Sequence, residues 1–123
     1  MLTLNSYKTK GIEDYGSCIS PDFKHFSRLY RNYLKRMCGK NDWTVVNFTV
    51  GHYYCSWFIK DKNDRHIYMS FSDVRYFSKS WYNIILYRTA QNASDYRGGA
   101  NWYTDMDNME KHLKQMFARG WGW

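Results

Sequence analysis

Four cations stand at helical spacing early in the chain: Lys24, Arg28, Arg31 and Lys35. Steps of four, three and four residues, at about 100° each, put them within a stripe of roughly 60° on one helix face. Such a stripe can hold phosphates without regard to base sequence. It has one sign only, and no acidic residue lies four positions away to neutralise it. The commonest use of a charged stripe is a solvated helix face, and the two readings weigh about equally here. A second set interleaves cations with flat rings: Arg75, Tyr76, Lys79, Trp81, Arg88, Tyr96, Arg97 and Trp102. The same mixture grips single-stranded nucleic acid by stacking and backbone charge, makes a protein-binding hot spot, or staples a loop internally through Arg–ring contacts. Arg75, Arg88, Tyr96, Arg97 and Trp102 are the candidates for stacking or partner binding.

Other chemistries lack their spacing. Cys18, His25, Cys38, His52 and Cys55 form neither a CxxC pair nor an HxxxH pair, so no metal site is expected. Gly98 and Gly99 are not followed by the Lys-Ser/Thr pattern of a phosphate loop. Cys38 and Cys55 read as small buried hydrophobes rather than nucleophiles. His66 with Arg75 and a tyrosine could in principle serve a metal-free nuclease, but no spacing singles that set out. The expectation is therefore no cofactor and no catalytic residue, with a small hydrolase or nuclease the third reading.

The totals agree with a binding role. The chain has 123 residues, enough for one domain with a real core. Its net charge of +7 favours polyanionic partners. Most of that excess lies between residues 20 and 40, where six basic residues face one acidic residue. Twelve tyrosines and six tryptophans exceed what a small core needs, so some rings belong at a surface or interface, and a homodimer is one use for them. Three cysteines make no disulfide framework, which suits a reducing, cytoplasmic setting. The first residues show no apolar signal-peptide core, and no run reaches the ~20 apolar residues of a membrane span.

The elements that must position these residues are legible in part. Ser20 as N-cap and Pro21 after it open a helix over 21–38, with Phe23, Phe26, Tyr30, Leu34 and Met37 on its apolar face. Aromatic and β-branched runs between Trp43 and Arg88 then predict an antiparallel meander of four strands. Its first turn is expected at Gly51-His52 as a two-residue hairpin, and its second at Asp61-Lys62-Asn63-Asp64. Strand two is apolar on both faces and should be interior. Strand three alternates, with Ile67, Met69 and Phe71 on one side. Residues 89–103 read as a long loop. A last helix over 105–118 is expected behind an N-cap at Thr104, with Met109, Leu113, Met116 and Phe117 inward. Met1 to Leu4 could add a fifth, edge strand. The predicted fold class is α+β, a four-stranded or five-stranded antiparallel sheet packed by an N-terminal and a C-terminal helix.

The order helix, strands, helix resembles the double-stranded RNA-binding domain in topology. That family carries a basic run at the start of its second helix. Here the matching stretch, Thr104 to Glu110, is acidic, so no site residue is carried over. The stretches Ile67 to Phe77 and Trp81 to Thr104 give the region of about residues 54–104 a resemblance to small accessory proteins of bacterial plasmids, phages and conjugative elements, a group that includes anti-CRISPR inhibitors. The resemblance implies a compact α/β module that acts on nucleic acid or on a nucleoprotein machine. A net charge of +7 is unlike the acidic inhibitors that mimic DNA. The expected function is thus a non-enzymatic binding module for nucleic acid, or else a protein-binding inhibitor or adaptor that blocks a nucleic-acid enzyme by contact.

Overall fold

Apolar side chains that recur every three or four residues force a helix, and α1 runs Pro21–Gly39. The structure is a computed structural model and describes residues 21–74, 84–97 and 99–123, without the side chain of Asp22. Ser20, Arg75, Lys79, Trp81, Cys18 and the stretch Met1 to Leu4 lie outside the described residues. Five strands follow α1: β1 (Thr44–Val50), β2 (Cys55–Lys60), β3 (His66–Phe71), β4 (Ile85–Ala90) and β5 (Trp102–Thr104), and then α2 (Met109–Ala118). They form one antiparallel sheet in the order β1-β2-β3-β4-β5. The α+β class is as expected, but the fifth strand comes from the loop after β4.

One face of the sheet takes both helices. Phe23, Phe26, Tyr30 and Leu34 of α1 pack on Tyr53, Trp57, Met69 and Phe71, all buried. Tyr30 stands edge-on to Trp57 and Phe71, with ring centres 5.2 and 5.3 Å away. Phe48 joins this face only because β1 carries a bulge. Val46 pairs with Phe58 and Thr49 with Ser56, so β1 holds one extra residue. Asn47 absorbs it at φ 51°, a left-handed conformation that Asn tolerates better than most residues. The shift by one residue turns Phe48 toward Trp57, 6.0 Å centre to centre.

The first turn departs from expectation. Val50 and Cys55 are paired, and the Gly51 amide donates to the Tyr54 carbonyl, so the loop has four residues rather than two. Tyr53 belongs to that loop at φ 64°, where it sends its ring into the core against Phe23. The second turn matches its sequence. Asp61 is buried and accepts from the amides of Asn63 and Arg65 at 3.0 and 2.9 Å. Its other oxygen accepts from Arg65 Nε and Nη2 at 2.9 and 2.8 Å, so the charge is fully met.

Helix α2 starts four residues later than predicted. Asn108 is its N-cap, and Thr104 ends β5 instead. Met109, Leu113, Met116 and Phe117 are buried as expected. Glu110 ties α2 to the end of α1: it accepts from Asn41 at 2.8 Å and pairs with Lys40 at 3.4 Å. The Asn41 hydrogen bond and the Lys40 charge hold its carboxyl below the usual 4.5. This clasp therefore contributes at higher pH and is lost as the pH falls through that lowered value.

Among the described residues, no helix packs on the second face of the sheet. Register aligns Val46, Phe58, Tyr68 and Arg88 in one row across four strands. Residues 91–97 fold back over this row. Tyr96 sets its ring edge-on to Phe58 and Tyr68 at 5.3 and 5.8 Å. Arg88 is only 4 % exposed. Its guanidinium lies 4.6 Å over the Tyr68 ring and donates to the carbonyls of Asp95 and Thr89 at 2.9 and 3.3 Å. Asp95 in turn accepts from the amides of Gln91 and Arg97, which hold its carboxyl below the usual range. Asn47 closes the far end by donating to the Ala93 carbonyl at 2.8 Å. The second face is thus covered by the chain itself at Phe58 and Tyr68.

Arg88→Ala should cost about 2 kcal/mol in chemical denaturation, because buried carbonyls lose their donor and Tyr68 loses its cover. Trypsin should then cut after Arg97 much faster than in the native protein. Arg88→Lys should recover less than half of the loss, since an ammonium cannot lie flat on the ring and reach both carbonyls. Unchanged stability and cleavage in the Ala variant would contradict this role.

Candidate functional site

The outer face of α1 carries the expected stripe. Lys24, Arg28, Arg31 and Lys35 are all exposed, opposite the buried Phe23, Tyr30 and Leu34. None of the four forms an ion pair among the described residues. The described cations that do pair are elsewhere: Lys40 and Lys114 with Glu110, Lys60 with Asp64, and Arg65 with Asp61. Arg31 extends over the Phe48 ring at 6.0 Å, which carries the stripe toward the edge strand β1. The eleven residue steps from Lys24 to Lys35 span roughly 16 Å along the axis at about 1.5 Å each. That is the length of about five phosphates on one strand of a duplex, at about 3.4 Å each.

The Arg/aromatic set does not come together as one site. Arg88 is an internal staple, the structural one of its three readings. Tyr96 is half over Phe58 and Tyr68 and half in solvent. Arg97 is exposed beside it. Trp102 lies apart on β5, where it pairs with Tyr87 and faces α2. Arg75 falls outside the described residues.

The C-terminal tail takes its course from two glycines. Gly120 and Gly122 adopt φ 73° and 107°, conformations open to glycine and strained for other residues. They send the tail's two indoles in opposite directions. Trp123 goes inward, stacks on Phe117 at 5.9 Å and donates Nε1–H to the His66 carbonyl at 2.8 Å. Trp121 goes outward and is 61 % exposed. Arg119 lies between Trp121 and Trp102, 3.7 and 5.6 Å from their ring centres. The Gly-Trp-Gly-Trp repeat was the available signal, since alternate glycines permit such reversals.

Two clefts border α2. One of about 330 Å³ is walled by Trp43, Asp61, Lys62, Arg65, Lys114 and Phe117. Its Asp61 and Arg65 are already spent on each other. The other, of about 220 Å³, lies beside Trp102 and Trp121. Among the described residues, no group of three or more His, Cys, Asp or Glu side chains converges as metal ligands would. No helix among them is long and apolar enough to cross a membrane. Comparison with protein-family models, curated proteins and solved structures finds no match to this chain.

Cys38 and Cys55 are buried, free thiols. Burial pushes both up to about 12, with Glu110 adding to the effect at Cys38. At pH 8 only about one thiol in ten thousand would ionise. Iodoacetamide at pH 8 should therefore leave the Cys38 and Cys55 peptides unmodified in the folded protein, and alkylate both in urea. Rapid labelling of either without denaturant would reopen the case for a reactive thiol.

Proposed function

We propose that the protein is a non-enzymatic binding module for nucleic acid, and that Lys24, Arg28, Arg31 and Lys35 contact the phosphate backbone. The observation that carries this reading is the contrast in pairing. Among the described residues, four exposed cations share one helix face without a carboxylate partner, whereas Lys40, Lys60, Arg65 and Lys114 each have one. A face of that kind attracts a polyanion and gains most from counterion release. Contacts to the phosphate backbone carry no sequence information, so binding through them should be largely indifferent to sequence.

A second reading is a protein-binding inhibitor or adaptor of a nucleic-acid enzyme, of the kind its resemblance to mobile-element proteins implies. Exposed Tyr96 and Tyr103 favour it, since both rings stand on the sheet side away from the helices, with Arg97 nearby. Tyr and Arg are common hot-spot residues. A partner held in this way would survive nuclease treatment and moderate salt.

Fluorescence anisotropy with a labelled duplex, at several salt concentrations, separates the two. The wild type should bind, and binding should fall steeply with salt. Replacing Lys24, Arg28, Arg31 and Lys35 by Ala should flatten the log–log salt slope by about three to four units. No binding by the folded wild type at low salt would remove the nucleic-acid reading.

A further inference from the structure

The cleft beside the C-terminal tail is made of different materials from the α1 stripe. Tyr87 and Met116 form its floor, and His112, Trp102, Arg119 and Trp121 form its walls. Its volume of about 220 Å³ falls below the roughly 300–1,000 Å³ of sites for drug-sized ligands, so it suits one flat ring system. Trp102 and Trp121 are 45 % and 61 % exposed. The planar guanidinium of Arg119 stacks closely on Trp121 and more loosely toward Trp102. Its position over Trp121 shows that this indole accepts a flat cationic group close to its ring. Among the described residues Arg119 donates Nε–H to the Trp121 carbonyl at 3.1 Å, which leaves the other guanidinium donors available.

The polar groups around this space offer several donors beside the Gln115 amide, which both donates and accepts. His112 lies parallel to Tyr87, 6.1 Å centre to centre, and shares Nδ1 with the Thr104 hydroxyl at 2.7 Å. When that hydroxyl donates, the ring proton sits on Nε2. The guanidinium and two indole N–H groups add further donors. Two faces for stacking, with donors and one fixed positive charge, complement a flat ring that bears acceptors and carries an anion.

We propose that the Trp102–Arg119–Trp121 cleft binds a single unpaired nucleotide, with its base stacked on the exposed indoles and its phosphate met by Arg119. This rests on the reading of the chain as a nucleic-acid binder and adds a preference to it. The α1 stripe holds any phosphate backbone, while the cleft takes only a base that is free of a partner. Single strands, frayed ends and flipped bases qualify, and an intact duplex does not.

Saturation-transfer NMR with AMP as the probe tests the cleft without relying on the tryptophans as reporters. The wild type should give saturable transfer to the adenine protons. Trp102→Ala and Trp121→Ala should each weaken AMP binding by roughly five-fold to a hundred-fold, the range that removal of one stacking partner produces. Both side chains are exposed enough for the fold to persist, and far-ultraviolet circular dichroism checks it. Trp102→Phe, which keeps a stacking face, should retain most of the binding. The quadruple α1 variant should bind AMP like the wild type, so failure of the stripe and failure of the cleft read out separately. In anisotropy, Trp102→Ala should weaken single-strand binding about ten-fold and leave duplex binding within two-fold. Absence of AMP transfer in the wild type would overturn the proposal. So would equal losses on single strand and duplex, which would mark the indoles as a protein-docking surface or a lid over Tyr87.

Discussion

A sheet with rings on both faces has to be covered on both faces, and the described helices pack on only one. The buried guanidinium of Arg88 resolves that constraint. It spreads over Tyr68 and holds the Asp95 and Thr89 carbonyls, so the segment after β4 turns back across Phe58 and Tyr68 rather than leaving the sheet. A charge buried this deeply is tolerable because a ring face and two carbonyls replace its water. The same return path delivers the chain to the sheet edge, where Trp102–Thr104 adds as β5. Helix α2 and the tail are then hung from that edge.

Two consequences follow for the surface. First, the surplus of aromatic residues is largely absorbed. Phe58 and Trp57 are fully buried on opposite sides of β2, and Trp123 is folded onto Phe117. Among the described residues the rings left exposed are Tyr54, Tyr96 and Tyr103, and Trp102 and Trp121 at the α2 cleft. Second, α1 is held entirely through its apolar face. Its outer face is left to its charges, and the Glu110 clasp engages Lys40 just beyond the helix rather than the stripe. The residues proposed to meet phosphates therefore have little structural duty, and their replacement should leave the fold intact.

Sequence reading succeeded where one local rule was enough. The 3.6-residue recurrence of Phe23, Phe26, Tyr30 and Leu34 gave α1. The alternation of Ile67, Met69 and Phe71 gave β3, and Asp61 with Asn63 and Asp64 gave the second turn. It fell short where distant partners decide. Three residues within a Gly/Asn-rich stretch carry no period, so β5 was legible only through its pairing with Ile85, Leu86 and Tyr87. Phe48 faces the core because Asn47 bulges, and Tyr53 does so because its backbone turns left-handed. Thr104 satisfies the pattern of an N-cap, yet its hydroxyl went to His112 and the helix began at Met109. For the site, spacing found the stripe in full. It grouped Arg88 with Tyr96, Arg97 and Trp102, which the fold uses for three different purposes.

The central claim is that a polyanion lies along the outer face of α1. Amide chemical-shift mapping with a short duplex at low salt tests it most directly. The account predicts that the largest shifts fall on residues 24–36, with β3, β4 and loop 91–97 nearly still. Shifts centred elsewhere, or none at all, would contradict it.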